Sequence, residues 1–360
     1  MERRDFLLRC LGLSAAAAFM PTLSASAFSL RRTAPRWRGF NLLNYFTTYH
    51  AEPFREEEFR WISQWGFNFV RIPLSYWCWS EAGKYYEMRE EVLQDLDRCV
   101  RWGRKYHIHV CLNLHRAPGY CVNPPAEPEN LFRDESALEG CAYQWQTLAR
   151  RYAREGNKYL SFNLLNEVAN VDDATYERVA LRLIDAIRQV SPHRLIMVDG
   201  LDWGNRPLLR IAELDNIIQC GRGYQPTIVS HYEASWVYGD KPMPITPQQL
   251  TWPLDMDGEH YDKEWLRRLL HHAWDPMLKE GRQPLFIGEF GAHNRTSHAT
   301  TLVWLRDQLD VFQEMGLGWT LWNLRGSFGI LDSGRDDVEY DDFHGHKLDT
   351  KMLDLLRSYL

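Results

Sequence analysis

Tyr159-Leu160-Ser161-Phe162-Asn163-Leu164-Leu165-Asn166-Glu167 is a short, mostly apolar run that ends on a carboxylate, and Pro284-Leu285-Phe286-Ile287-Gly288-Glu289-Phe290-Gly291 is another. Both lack polar–apolar alternation and are bounded by breakers or polar residues, the pattern of a strand covered on both faces in a parallel sheet. A carboxylate in such a place gives up hydration, so chemistry is a better reason for it than solubility. Glu167 and Glu289 therefore stand out as a candidate catalytic pair, and two acids at strand ends point to hydrolysis of a sugar chain.

Outward from these runs, strand and helix signals alternate along the chain. Residues 39–44, 67–73, 108–114, 159–166, 194–199, 227–230, 285–288 and 318–324 read as strands. Amphipathic helices are expected at 56–65, 87–106, 134–155, 173–190, 262–280, 301–315 and 351–360. Roughly eight such units predict an α/β fold of the closed (β/α)8 TIM-barrel type in a single domain. The rival, an open doubly wound sheet, would show a glycine-rich phosphate loop after its first strand, and none is there.

The 360 residues fit one large barrel. With 42 basic and 48 acidic residues the formal net charge is −6, and no basic block runs through the chain, which argues against nucleic acid as a partner. Residues 1–27 read as an export signal: Arg3-Arg4-Asp5-Phe6-Leu7-Leu8 resembles a twin-arginine motif, and Ala25-Ser26-Ala27 suits signal peptidase. That places the barrel at 28–360 and the protein outside the cytoplasm, in the periplasm or beyond. The apolar part of the signal is too short to be an anchor, and no later run reaches about 18 apolar residues, so no membrane association is expected. Cys78, Cys99, Cys111, Cys121, Cys141 and Cys220 show no metal-type spacing and are read as structural or free.

Long connections at 116–133 and 233–261 follow the carboxyl ends of strands, where a barrel builds its active face. Trp236, Tyr238 and Trp252 in the second are candidates to wall a cleft. Retaining cleavage of a glycosidic bond needs one acid to protonate the leaving oxygen and one carboxylate to attack the anomeric carbon, about 5–5.5 Å apart. Glu167 and Glu289 are far apart in sequence, so only barrel closure can bring them together.

Asn166-Glu167, Ile287-Gly288-Glu289-Phe290-Gly291 and Gly318-Trp319-Thr320-Leu321-Trp322-Asn323 together match one pattern. Arg38-Gly39-Phe40-Asn41, Val70-Arg71-Ile72-Pro73, Leu114-His115-Arg116-Ala117-Pro118-Gly119 and Gly326-Ser327-Phe328-Gly329-Ile330-Leu331-Asp332-Ser333 extend it from Arg38 to the C-terminus. The chain resembles glycoside hydrolase family 5, the cellulase-type barrels. That resemblance implies Glu167 as acid/base and Glu289 as nucleophile, Asn166 binding the sugar 2-hydroxyl, His115 binding the sugar next to the cleaved bond and Trp322 as the platform under it. It implies no metal or organic cofactor. Charge logic gives the same division: Arg71, at a strand end, can hold Glu289 ionised, whereas burial and a neighbouring carboxylate should raise the pKa of Glu167.

Members of the family usually carry His-x-Tyr after the sixth strand, with the tyrosine touching the nucleophile. Here Ser230-His231-Tyr232-Glu233 sets the two side by side. Either His231 keeps its role and the tyrosine contact is shifted, or Tyr232 aligns and the histidine is lost. Glu233 adds an alternative acid. The first functional reading is a retaining β-glycosidase acting as a monomer on a β-glucan-type polysaccharide or oligosaccharide, with β-mannan and transfer to another sugar left open. Two other readings compete. A non-catalytic carbohydrate-binding barrel is one; the other, a metal-dependent barrel hydrolase, would need His and Asp clusters that the sequence does not show.

Overall fold

Eight parallel strands close on themselves in the computed structural model, which describes residues 35–279 and 283–360. The expected signal at 1–27 lies outside the described residues. The strands are β1 (Arg38–Asn41), β2 (Phe69–Ser75), β3 (His109–Arg116), β4 (Leu160–Asn163), β5 (Ile196–Asp199), β6 (Ile217–Gly223), β7 (Leu285–Phe290) and β8 (Gly318–Leu321). Each pairs with its sequence neighbours, and β1 pairs with β8 to close the ring, Arg38 opposite Trp319 and Phe40 opposite Leu321. The fold is a (β/α)8 barrel, as expected from the alternation.

Every residue of β2 and β3 is buried, because one face looks into the barrel and the other onto helices. Alternate strand residues Phe69, Cys111, Met197, Ile218, Cys220 and Phe286 form an apolar cluster of their own, with Trp37 packed against it. One or two steps further along the same strand faces come Arg71, Asn113, Asn163, Asp199 and Arg222, so the barrel changes from apolar to polar toward its carboxyl end. Closure brings β1 so near β2 that a Cβ on Gly39 would lie 1.7 Å from the Phe69 carbonyl oxygen, a position only glycine can hold.

Seven long helices cover the outside among the described residues: α1 (Glu56–Gln64), α2 (Glu90–Tyr106), α3 (Glu135–Arg151), α4 (Asp173–Arg188), α5 (Lys263–Leu278), α6 (His298–Glu314) and α7 (Thr350–Arg357). In α2 the buried stripe is Leu93, Leu96, Cys99 and Val100; Glu90 and Glu91 in its first turn and Arg104 and Lys105 in its last complement the helix dipole. The six cysteines of the described residues are free, and all but Cys121 are buried.

The sixth strand differs from the sequence reading. Thr227–Ser230, expected as a strand, is one helical turn, with Val229 N–H donating to the Pro226 carbonyl at 2.9 Å. The strand is Ile217–Gly223, and between β5 and β6 only the short turns Leu201–Gly204 and Leu209–Ile211 occur. β-Branched residues gave 227–230 its strand-like look, while the polar Gln219 and Arg222 masked the true strand. Both are buried and fully engaged: Gln219 caps Leu208 through its N–H and carbonyl, and Arg222 serves the site described next.

Candidate active site

Arg71, expected at a strand end, is the third of seven residues in β2, and its long side chain reaches the carboxyl ends of β4, β5, β6 and β7 to complete a buried network of two arginines and three acids. Arg71, on β2 and 1% exposed, donates from Nε to Asn163 Oδ1 at 2.9 Å and from Nη2 to Asn166 Oδ1 at 2.8 Å. Its Nη1 donates to Asn41 Oδ1 at 3.1 Å and to Glu289 Oε1 at 2.6 Å. A planar guanidinium with N–H groups on three nitrogens can serve four acceptors at once, which an ammonium could not do in this geometry.

Arg222 is the second cation, and it touches both candidate acids. Nε donates to Glu167 Oε1 at 3.1 Å, and Nη2 lies 3.2 Å from Glu289 Oε1. Nη2 also donates to Asn166 Oδ1 at 2.8 Å and to Asp199 Oδ2, while Nη1 donates to the Gly221 carbonyl at 3.2 Å. The ladder between β6 and β7 slips between Gly221 and Arg222, setting Arg222 opposite Glu289, a local bulge that aims both side chains into the site. Barrel closure thus brings Glu167 and Glu289 to one guanidinium.

Their surroundings differ. Glu289 is 3% exposed; Arg71 and Arg222 face its Oε1, and the Tyr224 hydroxyl donates to Oε2 at 3.1 Å. Glu167 keeps 17% of its side chain exposed and has one charged partner, Arg222. Burial first, and then the charge of Glu289, push the Glu167 carboxyl up to about 7. Its backbone sits in the left-handed region at φ 49°, held there by Glu167 N–H donating to Asp199 Oδ2 at 2.8 Å and by the Tyr120 hydroxyl donating to the Glu167 carbonyl at 2.9 Å.

Asn166 accepts from both arginines through Oδ1, which turns its Nδ2 toward His115 Nε2 at 3.4 Å. His115 is 4% exposed, and burial followed by the charges of Arg71, Arg222 and Arg116 keeps its ring neutral; its Nδ1 has no hydrogen-bond partner. Trp322, just past β8, stacks on that ring with centroids 5.6 Å apart, and Phe46 meets both edge-on. Arg71, His115, Asn166, Glu167, Glu289 and Trp322 are therefore gathered at one end of the barrel.

His231 and Tyr232 are not part of this contact set. The Tyr232 hydroxyl donates to the Ile245 carbonyl at 2.9 Å, away from Glu289. His231 Nδ1 pairs with Ser230 Oγ at 2.8 Å, and its ring packs edge-on against Tyr224 at 4.8 Å, so it backs the tyrosine that does reach Glu289. The physical reason is the displaced sixth strand: residues leaving β6 at its carboxyl end are Arg222-Gly223-Tyr224, and this triplet has the His-x-Tyr spacing with arginine first. Glu233 pairs with Arg295 at 3.7 Å instead of entering the site.

Among the aromatic residues of the 233–261 connection, Trp252 is buried and its Nε1 donates to Asp307 Oδ2 at 2.9 Å, so it packs the loop onto α6. Trp236 remains 54% exposed beside His293 and Phe328. Sequence reasoning missed Asp199, Arg222 and Tyr224. Among the described residues no group of three or more His, Cys, Asp or Glu side chains is arranged to hold a metal ion.

The family model for cellulase (glycosyl hydrolase family 5) matches residues 29–327. Endoglucanase C of Acetivibrio thermocellus is 25% identical over 330 residues, covering 84% of this chain and 95% of its own length. Cellodextrinase A of Ruminococcus flavefaciens is 26% identical over 270 residues, covering 73% of this chain and 76% of its own. A crystal structure titled as that of a glycoside hydrolase superposes with a TM-score of 0.82 at 35% identity, covering 90% of this chain and 99% of that one. With the barrel and the paired acids in place, these similarities settle the family: the chain belongs to glycosyl hydrolase family 5, the cellulases, and is a glycoside hydrolase acting on O-glycosyl bonds.

Proposed function

We propose that the chain hydrolyses β-linked glucan, as polysaccharide or oligosaccharide, with retention of anomeric configuration, through Glu167 as acid/base and Glu289 as nucleophile. The observation that carries this reading is the unequal pairing of two neighbouring carboxylates. Glu289 has Arg71, Arg222 and Tyr224 on its oxygens, which favours an ionised, oriented nucleophile. Glu167 has one charged partner and a raised pKa, which favours a proton ready for transfer.

In the first step a Glu289 oxygen forms a bond to the anomeric carbon while the glycosidic bond breaks and the Glu167 proton passes to the leaving oxygen. Esterification removes the negative charge of Glu289, which lowers the proton affinity of Glu167. In the second step Glu167 takes a proton from water as the water oxygen attacks the anomeric carbon and frees Glu289. Asn166 Nδ2, whose carbonyl end is fixed by two arginines, is the group offered to a sugar hydroxyl, and Trp322 is the ring offered to a sugar face. The names of the relatives, an endoglucanase and a cellodextrinase, support β-glucan as the substrate class.

The mature protein should be assayed against cello-, manno- and mixed-linkage oligosaccharides with the first-formed anomer read by NMR. A β-anomer formed first from cello-oligosaccharides, and loss of turnover in Glu289→Gln with sugar binding kept, are expected. An α-anomer formed first, or undiminished turnover in the variant, overturns the mechanism. Export through the 1–27 segment is proposed as well, and is tested by locating the protein after expression with the Arg3-Arg4 pair replaced by lysines.

A further inference from the structure

Asp199 is fully buried at the end of β5, yet neither step of the proposed chemistry gives it a proton or a bond to make. An isolated buried carboxylate is costly, so its partners should show what it does. Oδ1 accepts from Asn163 Nδ2 at 2.9 Å; Oδ2 accepts from the Glu167 backbone N–H at 2.8 Å and from Arg222 Nη2. Asp199 therefore holds the chain at Glu167 and the cation that touches the Glu167 side chain.

The charges of the cluster balance in one protonation state. Arg71 and Arg222 are two cations, and Asp199 and Glu289 are two anions, so the cluster is neutral when Glu167 carries its proton. Remove Asp199 and one positive charge is left over, which is balanced when Glu167, 3.1 Å from Arg222 Nε, gives up its proton and becomes an anion. Position also matters: a Cβ on Gly204 (φ +76°) would come within 2.9 Å of Arg222 Cγ, so the turn after β5 pins the arginine from behind.

We propose that the Asp199–Arg222 ion pair is a positioning device which keeps Glu167 able to hold its proton, Asp199 neutralising the arginine and Arg222 limiting how firmly that proton is held. This inference rests on the reading of Glu167 as acid/base. The charged groups facing Glu167 are Glu289 from β7, Arg222 from β6, Asp199 from β5 and Arg71 from β2. Tyr120, Cys121 and Tyr224 also face it and stay neutral, their hydroxyls and thiol pushed up mainly by burial.

The two partners must act in opposite directions. In Asp199→Asn the unneutralised arginine favours ionised Glu167, so the alkaline limb of kcat/KM moves down by about one pH unit, the effect of an opposite charge at this range. In Arg222→Gln a cation is lost and the limb moves up by a similar amount, while Arg222→Lys keeps the charge and leaves the limb in place as kcat falls. The combined Asp199→Asn/Arg222→Gln variant returns the limb toward the wild-type position.

The experiment is a pH profile of kcat/KM on an aryl β-cellobioside with a poor leaving group, each variant first checked by thermal melt. Limbs that stay put in both single variants, or move in the same direction, overturn the proposal. Should Asp199→Asn fail to fold, the contrast between Arg222→Gln and Arg222→Lys decides, since a purely structural role predicts no difference in the limb. Glu167→Ala, run alongside, tests the underlying assignment by itself: if the wild-type alkaline limb persists in that variant, Glu167 is not the acid, whatever the Asp199 and Arg222 variants do.

Discussion

The Tyr224 hydroxyl donates to Glu289 Oε2 at 3.1 Å, on the opposite oxygen from Arg71, whose Nη1 donates to Oε1 at 2.6 Å. Both oxygens are thereby tied, and the carboxylate cannot rotate freely. Hydrogen bonds to charged groups are worth about 1.5–3 kcal/mol, so Tyr224→Phe should lower kcat/KM on cello-oligosaccharides by about 10- to 100-fold with the fold intact. Tyr232→Phe is the control. Its hydroxyl donates to the Ile245 carbonyl, so it should cost about 1 kcal/mol of stability and leave kcat/KM unchanged. Equal activity losses in the two variants would remove Tyr224 from its special place.

Arg71 serves four acceptors, Asn41, Asn163, Asn166 and Glu289, from 1% exposure. Arg71→Met leaves the Asn41 and Asn163 Oδ1 atoms without that donor, while Asn166 and Glu289 keep Arg222, and breaking a buried ion pair from one side costs about 3–5 kcal/mol. A large drop in melting temperature is expected. Arg71→Lys keeps the charge and reaches fewer of these acceptors, so it should fold while kcat falls by about 100-fold, the cost of a misplacement near 1 Å. Differential scanning calorimetry and initial rates check the two halves. A lysine variant with full activity would mean that charge alone, without the fork, suffices.

The barrel was legible because buried parallel strands and amphipathic helices have different periods, and the long helices and seven of the eight strands carry those periods clearly. Glu167 and Glu289 were legible because a carboxylate closing an apolar run is costly without a task. β6 was not legible. Its side chains Gln219 and Arg222 point into specific polar partners, and Gly221 and Gly223 weaken the strand signal, so the signature of burial is replaced by one of hydrogen bonding. Missing β6 moved the expected tyrosine from 224 to 232. The usable signal was the spacing in Arg222-Gly223-Tyr224, hidden because arginine stands where a histidine was sought. Asp199 could not be found from sequence, since its partners come from β4, β6 and the residue after Asn166, and only closure joins them.

The carboxyl of Glu167 is pushed up to about 7 from an ordinary 4.5, by burial and by Glu289. The proposed mechanism requires Glu167 to be protonated in the free enzyme, so kcat/KM should fall as pH rises through about 7. Folding stability follows the same proton. A carboxyl with a raised native pKa contributes stability that is fully present below 4.5 and is lost as pH rises through about 7. Glu167→Gln cannot ionise. Relative to wild type its melting temperature should therefore climb between pH 4.5 and pH 7 and level off above that range. A difference in melting temperature that is flat across this window would mean that Glu167 ionises at no cost to the fold.

Trp203 exposes 46% of its surface in the turn after β5, and its backbone N–H donates to the Val168 carbonyl at 3.4 Å, one residue past Glu167. In the proposed mechanism Glu167 is the acid and lies on the leaving-group side of the cleaved bond, so the exposed Trp203 ring is a candidate to be tested for contact with leaving-side sugars. Asp202 and Trp203 both hold left-handed backbone, φ 54° and 59°, a conformation that costs a bulky residue about 1–3 kcal/mol. Glycine adopts that conformation freely, so Trp203→Gly should melt no lower than wild type while losing the ring. An aromatic contact of about 1 kcal/mol corresponds to roughly a 5-fold loss in kcat/KM on long cello-oligosaccharides, with little change on an aryl glycoside that lacks leaving-side sugars. The two substrates assayed side by side separate the cases: an equal loss on both would place Trp203 in support of Glu167 and remove it from the leaving-sugar side.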